Sequence, residues 1–182
     1  MSENLVRTLR TLFRGRVITV ESALVWLPGG NSADYEICRH PGSAAVVAID
    51  EADRVCLLRQ YRPAVGSWVW ELPAGRREPA ESPEQTARRE LAEEAGYEAG
   101  AWQPLGSLLS SPGVLSEEIY LFLATRLTAR PVQHQPYEAI EIHWLEFSDA
   151  LRRAMSGEIR DAKTVAAMVR ASALRKYQEY SW

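Results

Sequence analysis

The chain has 182 residues, of which 46% are hydrophobic and 25% charged, with a formal net charge of −3. These values describe one globular domain and exclude a collagenous or disordered chain. A protein that grips a nucleic-acid backbone carries a basic excess, so nothing here suggests DNA or RNA as a partner, although a local basic patch would suffice for a small phosphate ester. Lys163 and Lys176 are the only lysines, so nearly all positive charge is arginine, a bias that genome composition explains as readily as phosphate binding. Cys38 and Cys56 sit in apolar, strand-like contexts without metal-ligand spacing, so no disulfide framework is expected and a reducing cytoplasm fits. Arg7, Arg10 and Arg14 interrupt the N-terminal stretch, and neither a signal peptide nor a membrane span is expected.

In chain order, residues 3–13 suggest a short helix or an arm. Residues 16–27 alternate and are rich in Val and Ile, the Pro28-Gly29-Gly30-Asn31 run marks a turn, and residues 33–39 form the returning strand of a hairpin. Strands are expected at 43–50, 54–61 and 68–72, the last ended by Pro73. The period then becomes helical over 83–95, with Ala87, Leu91 and Ala95 at steps of four, Ser82 as cap, Pro83 at the first position and Gly96 as terminator. Strands follow at 102–109, 118–127 and 140–147. Two helices close the chain, at 148–155 before Gly157 and at 162–178 behind Asp161 as N-cap. Strands, a helix, strands and helices in that order predict an α+β fold with helices on a mixed sheet.

One segment carries the chemistry, Gly75–Tyr97, GRREPAESPEQTARRELAEEAGY. Glu90, Glu93 and Glu94 share one face of the predicted helix, where like charges at three- and four-residue spacing repel. Arg88 and Arg89 offset them in part. A hard divalent cation does so better, because Mg²⁺ takes oxygen ligands and bridges carboxylates to substrate phosphates. Gly75 allows close backbone approach to such a site.

The segment resembles the Nudix box: a glycine, a glutamate six residues on, an Arg-Glu pair after seven more, then an aliphatic residue, two glutamates and a glycine. Gly75, Glu81, Arg89, Glu90, Leu91, Glu93, Glu94 and Gly96 fill those places, and Tyr97 replaces the usual final aliphatic residue. Chance agreement is on the order of 10⁻⁸ per starting point. The resemblance implies a Nudix-type α/β/α sandwich with a mixed central sheet and an N-terminal antiparallel hairpin. It implies one domain over residues 1–182, with 1–40 serving dimerisation and base recognition and 41–182 forming the catalytic core.

The resemblance also implies hydrolysis of a nucleoside-diphosphate derivative with Mg²⁺, or Mn²⁺ in its place. Glu90, Glu94 and the Ala74 carbonyl would hold the metal, with Glu93 as a further ligand or water holder. Arg89 would orient the glutamates, and Glu81 would be structural. The upstream run RQYRPAVGSWVWELPAG, residues 59–75, is similar to that of ADP-ribose pyrophosphatases. There Arg62 would contact a phosphate, and Glu71 would bind ribose or water unless it is simply paired to an arginine. Pro112, sixteen residues after Gly96, and Gly113 resemble that subgroup's loop beside the terminal ribose.

Glu138 is the implied water-activating base on the loop 130–138, with Glu93, Glu118 or Glu141 as alternatives. Tyr35, flanked by Glu36 and Arg39, matches the adenine platform of dimeric members, so a homodimer is implied. Six tryptophans, among them Trp26, Trp68 and Trp70, suit a core or an interface. His40, His134 and His143 lack metal spacing and are read as surface or strand residues. Two other substrate readings stay open: another nucleotide sugar, dinucleotide or oxidised nucleotide, and a regulatory module that binds without catalysis.

Overall fold

The structure is a computed structural model that describes residues 6–132 and 139–179. Three antiparallel strands come first, β1 (Val6–Arg14), β2 (Thr19–Trp26) and β3 (Ser32–Arg39), in the sheet order β1-β2-β3. The expected N-terminal helix or arm is therefore a strand. Its Thr8 and Thr11 favour extended backbone, and pairing to β2 from Val6↔Val25 to Arg14↔Thr19 gives hydrogen-bond partners to the backbone groups on the β2 side.

The chain then enters β4 (Ser43–Ala48), β5 (Arg54–Arg62), β6 (Ser67–Glu71) and the short β7 (Ala74–Arg76). Helix α1 (Pro83–Glu90) passes directly into a π turn (Leu91–Ala95). Strands β8 (Tyr97–Leu109), β9 (Glu118–Ala129) and β10 (Ile140–Glu146) follow, and α2 (Phe147–Ser156) and α3 (Ala162–Glu179) end the described fold. One sheet has the order β10-β5-β6. The other, β7-β4-β9-β8, is mixed, since β4 runs parallel to β9 and antiparallel to β7.

Strand β4 is buried throughout, so its alternating side chains serve two different faces. Ala45 and Val47, with Val55 and Leu57 of β5, pack with Phe147, Ala150 and Ala154 of α2 and Ala167, Met168 and Ala171 of α3. Ala44 and Val46, with Cys56 and Leu58, pack with Ala87, Leu91 and Ala95 of the α1 segment. Helix, sheet and helix layers result, the α/β/α sandwich that the motif implied. The steps of four at Ala87, Leu91 and Ala95 are the buried stripe of that helix.

By backbone contacts the chain forms two compact units, Met1–Gly42 with Leu109–Glu118, and Ser43–Leu108 with Ile119–Trp182. In the first, the segment after β8 lies along the end of β3. The Cys38 amide donates to the Val114 carbonyl at 2.7 Å, and the Ser116 amide to the Cys38 carbonyl at 2.9 Å. Cys38 and Cys56 are both free thiols. Among the described residues no helix is long and apolar enough to cross a membrane.

Candidate active site

The second unit gathers the carboxylates around the start and end of α1. Ser82 caps the helix: its side chain accepts from the Gln85 amide, and the Gln85 side chain accepts from the Ser82 amide. This reciprocal box fixes where the helix begins. Ahead of it, the Glu81 carboxylate accepts from the Glu78 amide at 3.0 Å, the Thr86 hydroxyl at 2.9 Å and Arg89 Nε at 2.8 Å. The Arg89 hydrogen bonds dominate and hold the Glu81 carboxyl at about 2, from an ordinary 4.5.

Arg89 is the hub. Nη1 donates to Glu90 Oε1 at 2.7 Å and to Glu93 Oε2 at 3.2 Å, while Nη2 donates to the Arg76 carbonyl at 2.9 Å. Its guanidinium is held charged, first by the Glu81 hydrogen bonds and then by Glu90. One cation thus ties the end of β7 to three glutamates of the box.

Glu90 and Glu94 are buried, at 7% and 5% exposure, and Glu93 is half-buried. Glu94 Oε2 accepts from the Ala74 amide at 2.8 Å, which locks the π turn to the start of β7. Gly75 lies against the other glutamate, since a Cβ there would meet Glu90 Oε1 at 1.9 Å. Glycine is required here because only bare backbone leaves room for that carboxylate. Ala74, Gly75, Arg89, Glu90, Glu93 and Glu94 therefore lie together around the helix of the box.

Burying two carboxylates side by side is costly without cations. Arg89 serves Glu90, and the charge of Glu94 is felt at Arg62. Among the described residues no three His, Cys, Asp or Glu side chains form a ready-made metal cage. Mg²⁺ does not need one, because it is ordinarily held by one or two carboxylates with substrate phosphates and water. The buried, all-oxygen donor set beside a glycine-cleared backbone fits such an ion.

Beside this cluster, Arg62 grips Glu71 with two hydrogen bonds, Nε to Oε1 at 2.6 Å and Nη2 to Oε2 at 2.7 Å. Lys163, at the start of α3, donates to the same Oε2. Burial alone would push the Glu71 carboxyl up, but the Arg62 hydrogen bonds and the Lys163 and Arg62 charges hold it below its ordinary range. Of its two readings, ribose ligand and arginine partner, the second describes the geometry. Lys163 is a member that the sequence does not single out. It lies 92 residues from Glu71, and nothing local links the two.

Tyr35, Glu36 and Arg39 of β3 lie in the first unit with Pro112 and Gly113, all of them exposed. Arg39 Nε donates to Glu21 Oε2 at 2.8 Å. Glu141 lies on β10, 3.6 Å from Arg59 and 3.4 Å from His143. Glu118 opens β9. Glu138 and His134 lie outside the described residues. Trp26 and Trp68 are exposed, whereas Trp70 packs on the core.

The NUDIX domain family matches residues 39–168, which span this constellation. The chain belongs to the Nudix family and is an enzyme, a pyrophosphohydrolase. It is 35% identical over 167 residues to the ADP-ribose pyrophosphatase of Mycobacterium tuberculosis, covering 90% of this chain and 81% of that one. To the ADP-ribose pyrophosphatase of Bacillus subtilis it is 35% identical over 159 residues, 86% of each. A crystal structure described as an ADP compounds hydrolase has the same fold, with a TM-score of 0.82 at 24% identity over 97% of this chain and 98% of that one. Nudix enzymes generally use divalent cations.

Proposed function

We propose that the protein hydrolyses the pyrophosphate bond of ADP-ribose to AMP and ribose 5-phosphate, with Mg²⁺ as its cofactor. The observation that carries the hydrolytic part is the buried Glu90–Glu94 pair tied to Arg89 and to the Ala74-Gly75 backbone. The substrate is supported by the two ADP-ribose pyrophosphatases, which match most of this chain.

Glu90, Glu94 and the Ala74 carbonyl hold the cation, which when bound neutralises pyrophosphate charge and favours ionisation of the attacking water. Arg89 keeps Glu90 and Glu93 in place through the reaction, so the donor set is oriented before substrate arrives. Glu93 positions the water. Glu138 accepts its proton as the new P–O bond forms and the bridging P–O bond breaks, and one phosphoryl group leaves with AMP and the other with ribose 5-phosphate. Arg62, charged and fixed by Glu71, contacts a phosphate.

Residues 1–40 serve base recognition and dimerisation, and 41–182 form the catalytic core. Tyr35 stacks on adenine, with Glu36 and Arg39 as polar partners, and Pro112 and Gly113 border the terminal ribose. A homodimer is supported by the apolar side chains Leu9, Leu12 and Phe13 exposed on β1. The two free thiols suit a reducing cytoplasm.

The test is a panel of ADP-ribose, ADP-glucose, GDP-mannose, NADH and 8-oxo-dGTP with Mg²⁺, compared by kcat/KM. ADP-ribose is expected to lead. A preference for NADH or for the triphosphate would overturn the substrate assignment.

A further inference from the structure

A cavity of about 420 Å³ opens between the β5–β6 turn and the start of α3. Arg62, Arg160 and Lys163 contribute three positive charges to its lining, and Glu71 and Asp161 contribute two negative ones. The carboxylates are already engaged. Glu71 takes Arg62 and Lys163, and Asp161 accepts from Lys163 at 3.0 Å and from the Thr164 amide and hydroxyl at 3.0 and 2.6 Å. Asp161 thereby also caps α3, so the helix end is satisfied within the chain. Arg160 is exposed at the cavity and meets no carboxylate among the described residues. Ala64, Val65 and Val69 add apolar side chains to the lining. Val65 is 61% exposed, a large apolar side chain turned to a charged mouth.

We propose that this cavity is a second ligand site, one that binds a small organic anion. A phosphate or carboxylate sits against Arg160 and Lys163, and a compact apolar body packs on Val65 and Val69. The planar Arg160 guanidinium can match either headgroup with paired hydrogen bonds. The apolar side chains separate such ligands from bare inorganic ions, since burial of the ligand body adds binding that phosphate alone lacks. The proposal goes beyond ADP-ribose hydrolysis and touches it through Arg62, assigned to the substrate phosphate, and through Glu71, which fixes Arg62; both line the cavity.

Phenyl phosphate, benzoate and inorganic phosphate distinguish the headgroups from the body. Each is titrated into the full-length protein, with and without Mg²⁺, and binding is followed by calorimetry and ligand-observed NMR. Saturable binding of phenyl phosphate or benzoate, at least tenfold tighter than inorganic phosphate, is expected in both conditions. Arg160→Ala is expected to weaken it at least tenfold. Ala162→Trp, at an exposed position where the indole would fill the cavity, is expected to abolish it with an unchanged circular dichroism spectrum. Failure of both aromatic anions to saturate, or equal binding by wild type and both variants, overturns the proposal. Hydrolysis of ADP-ribose is measured separately, so its absence would remove that reading and leave the binding result standing.

Discussion

Glu94 accepts a hydrogen bond from the Ala74 amide in addition to its proposed role in holding the cation. Glu94→Gln keeps an acceptor for that amide and removes the charge, so the fold should survive while cation binding fails. Loss of even an outer partner of a metal site costs about 10–100-fold, so kcat/KM should fall by more than about a hundredfold. Near-normal rates across a Mg²⁺ titration would take Glu94 out of the metal site. Glu81 makes a prediction of the opposite kind, about stability. Its carboxyl, held at about 2 by Arg89, is depressed from 4.5 in the folded state. Stability from this group is therefore complete above 4.5 and is lost as pH falls from there towards 2. Glu81→Gln should be less stable than wild type at pH 7, and its melting temperature should drop less between pH 5 and pH 3. Parallel acid profiles for the two proteins would show that Arg89 does not grip Glu81 as described. Glu81, Arg89, Glu90, Glu93 and Glu94 are legible from spacing alone, because they sit within fourteen residues and local helix geometry brings them together. The Glu71–Lys163 pair is not, because only the packing of α3 makes it.

Between α1 and β8, the backbone conformation matters more than any one side chain. The sequence pattern describes a single helix over 83–95, but α-helical bonding ends at Glu90 and a π turn completes the segment. Local propensity carries no signal for the wider turn, which admits an extra residue where tertiary contacts demand it. Gly96 ends the turn at φ +74, and its carbonyl accepts from the Arg130 amide at 2.7 Å. A Cβ on Gly96 would meet Val132 Cγ2 at 2.7 Å and the Arg130 carbonyl at 2.9 Å. Left-handed backbone alone costs a non-glycine residue about 1–2 kcal/mol. Gly96→Ala should therefore lower the melting temperature by at least about 2–4 °C, the shift expected per kcal/mol for a domain of this size. An unchanged value in calorimetry would mean that the turn does not constrain the chain. Gly75→Ala acts on the site instead. The new methyl would occupy the place of the Glu90 carboxylate, and a displacement of about 1 Å can cost about a hundredfold in rate. The expected signature is a large loss of kcat with a small loss of stability, read from kinetics and thermal melts on the same preparation.

At the scale of the molecule, the first unit sets the prediction. Leu9 and Phe13 of β1 are 51% and 56% exposed, and large contiguous apolar surface is unusual on a monomer. Joint replacement, Leu9→Arg with Phe13→Arg, should convert a dimer to a monomer in light scattering coupled to size exclusion. Because Tyr35 lies in the same sheet, the variant should also raise KM for ADP-ribose more than it lowers kcat. A wild-type monomer at assay concentrations would end the dimer proposal.

The sequence by itself determined the acidic face of the box helix, the Nudix family and the α+β architecture with helices on a mixed sheet. Each of these depends on residues close in the chain or on a periodicity that repeats along it. The β1 strand was beyond it, since an exposed arm with mixed polarity becomes a strand only when β2 supplies hydrogen-bond partners. So was the short β7, three residues whose pairing to β4 places Gly75 in the site. Tertiary structure alone decided that Glu71 belongs to Arg62 and Lys163, that a cavity lined by Arg160 lies beside them, and that the helix of the box ends in a π turn. These features join segments far apart in the chain, and long-range packing, unlike spacing, leaves no local mark on the residues that take part.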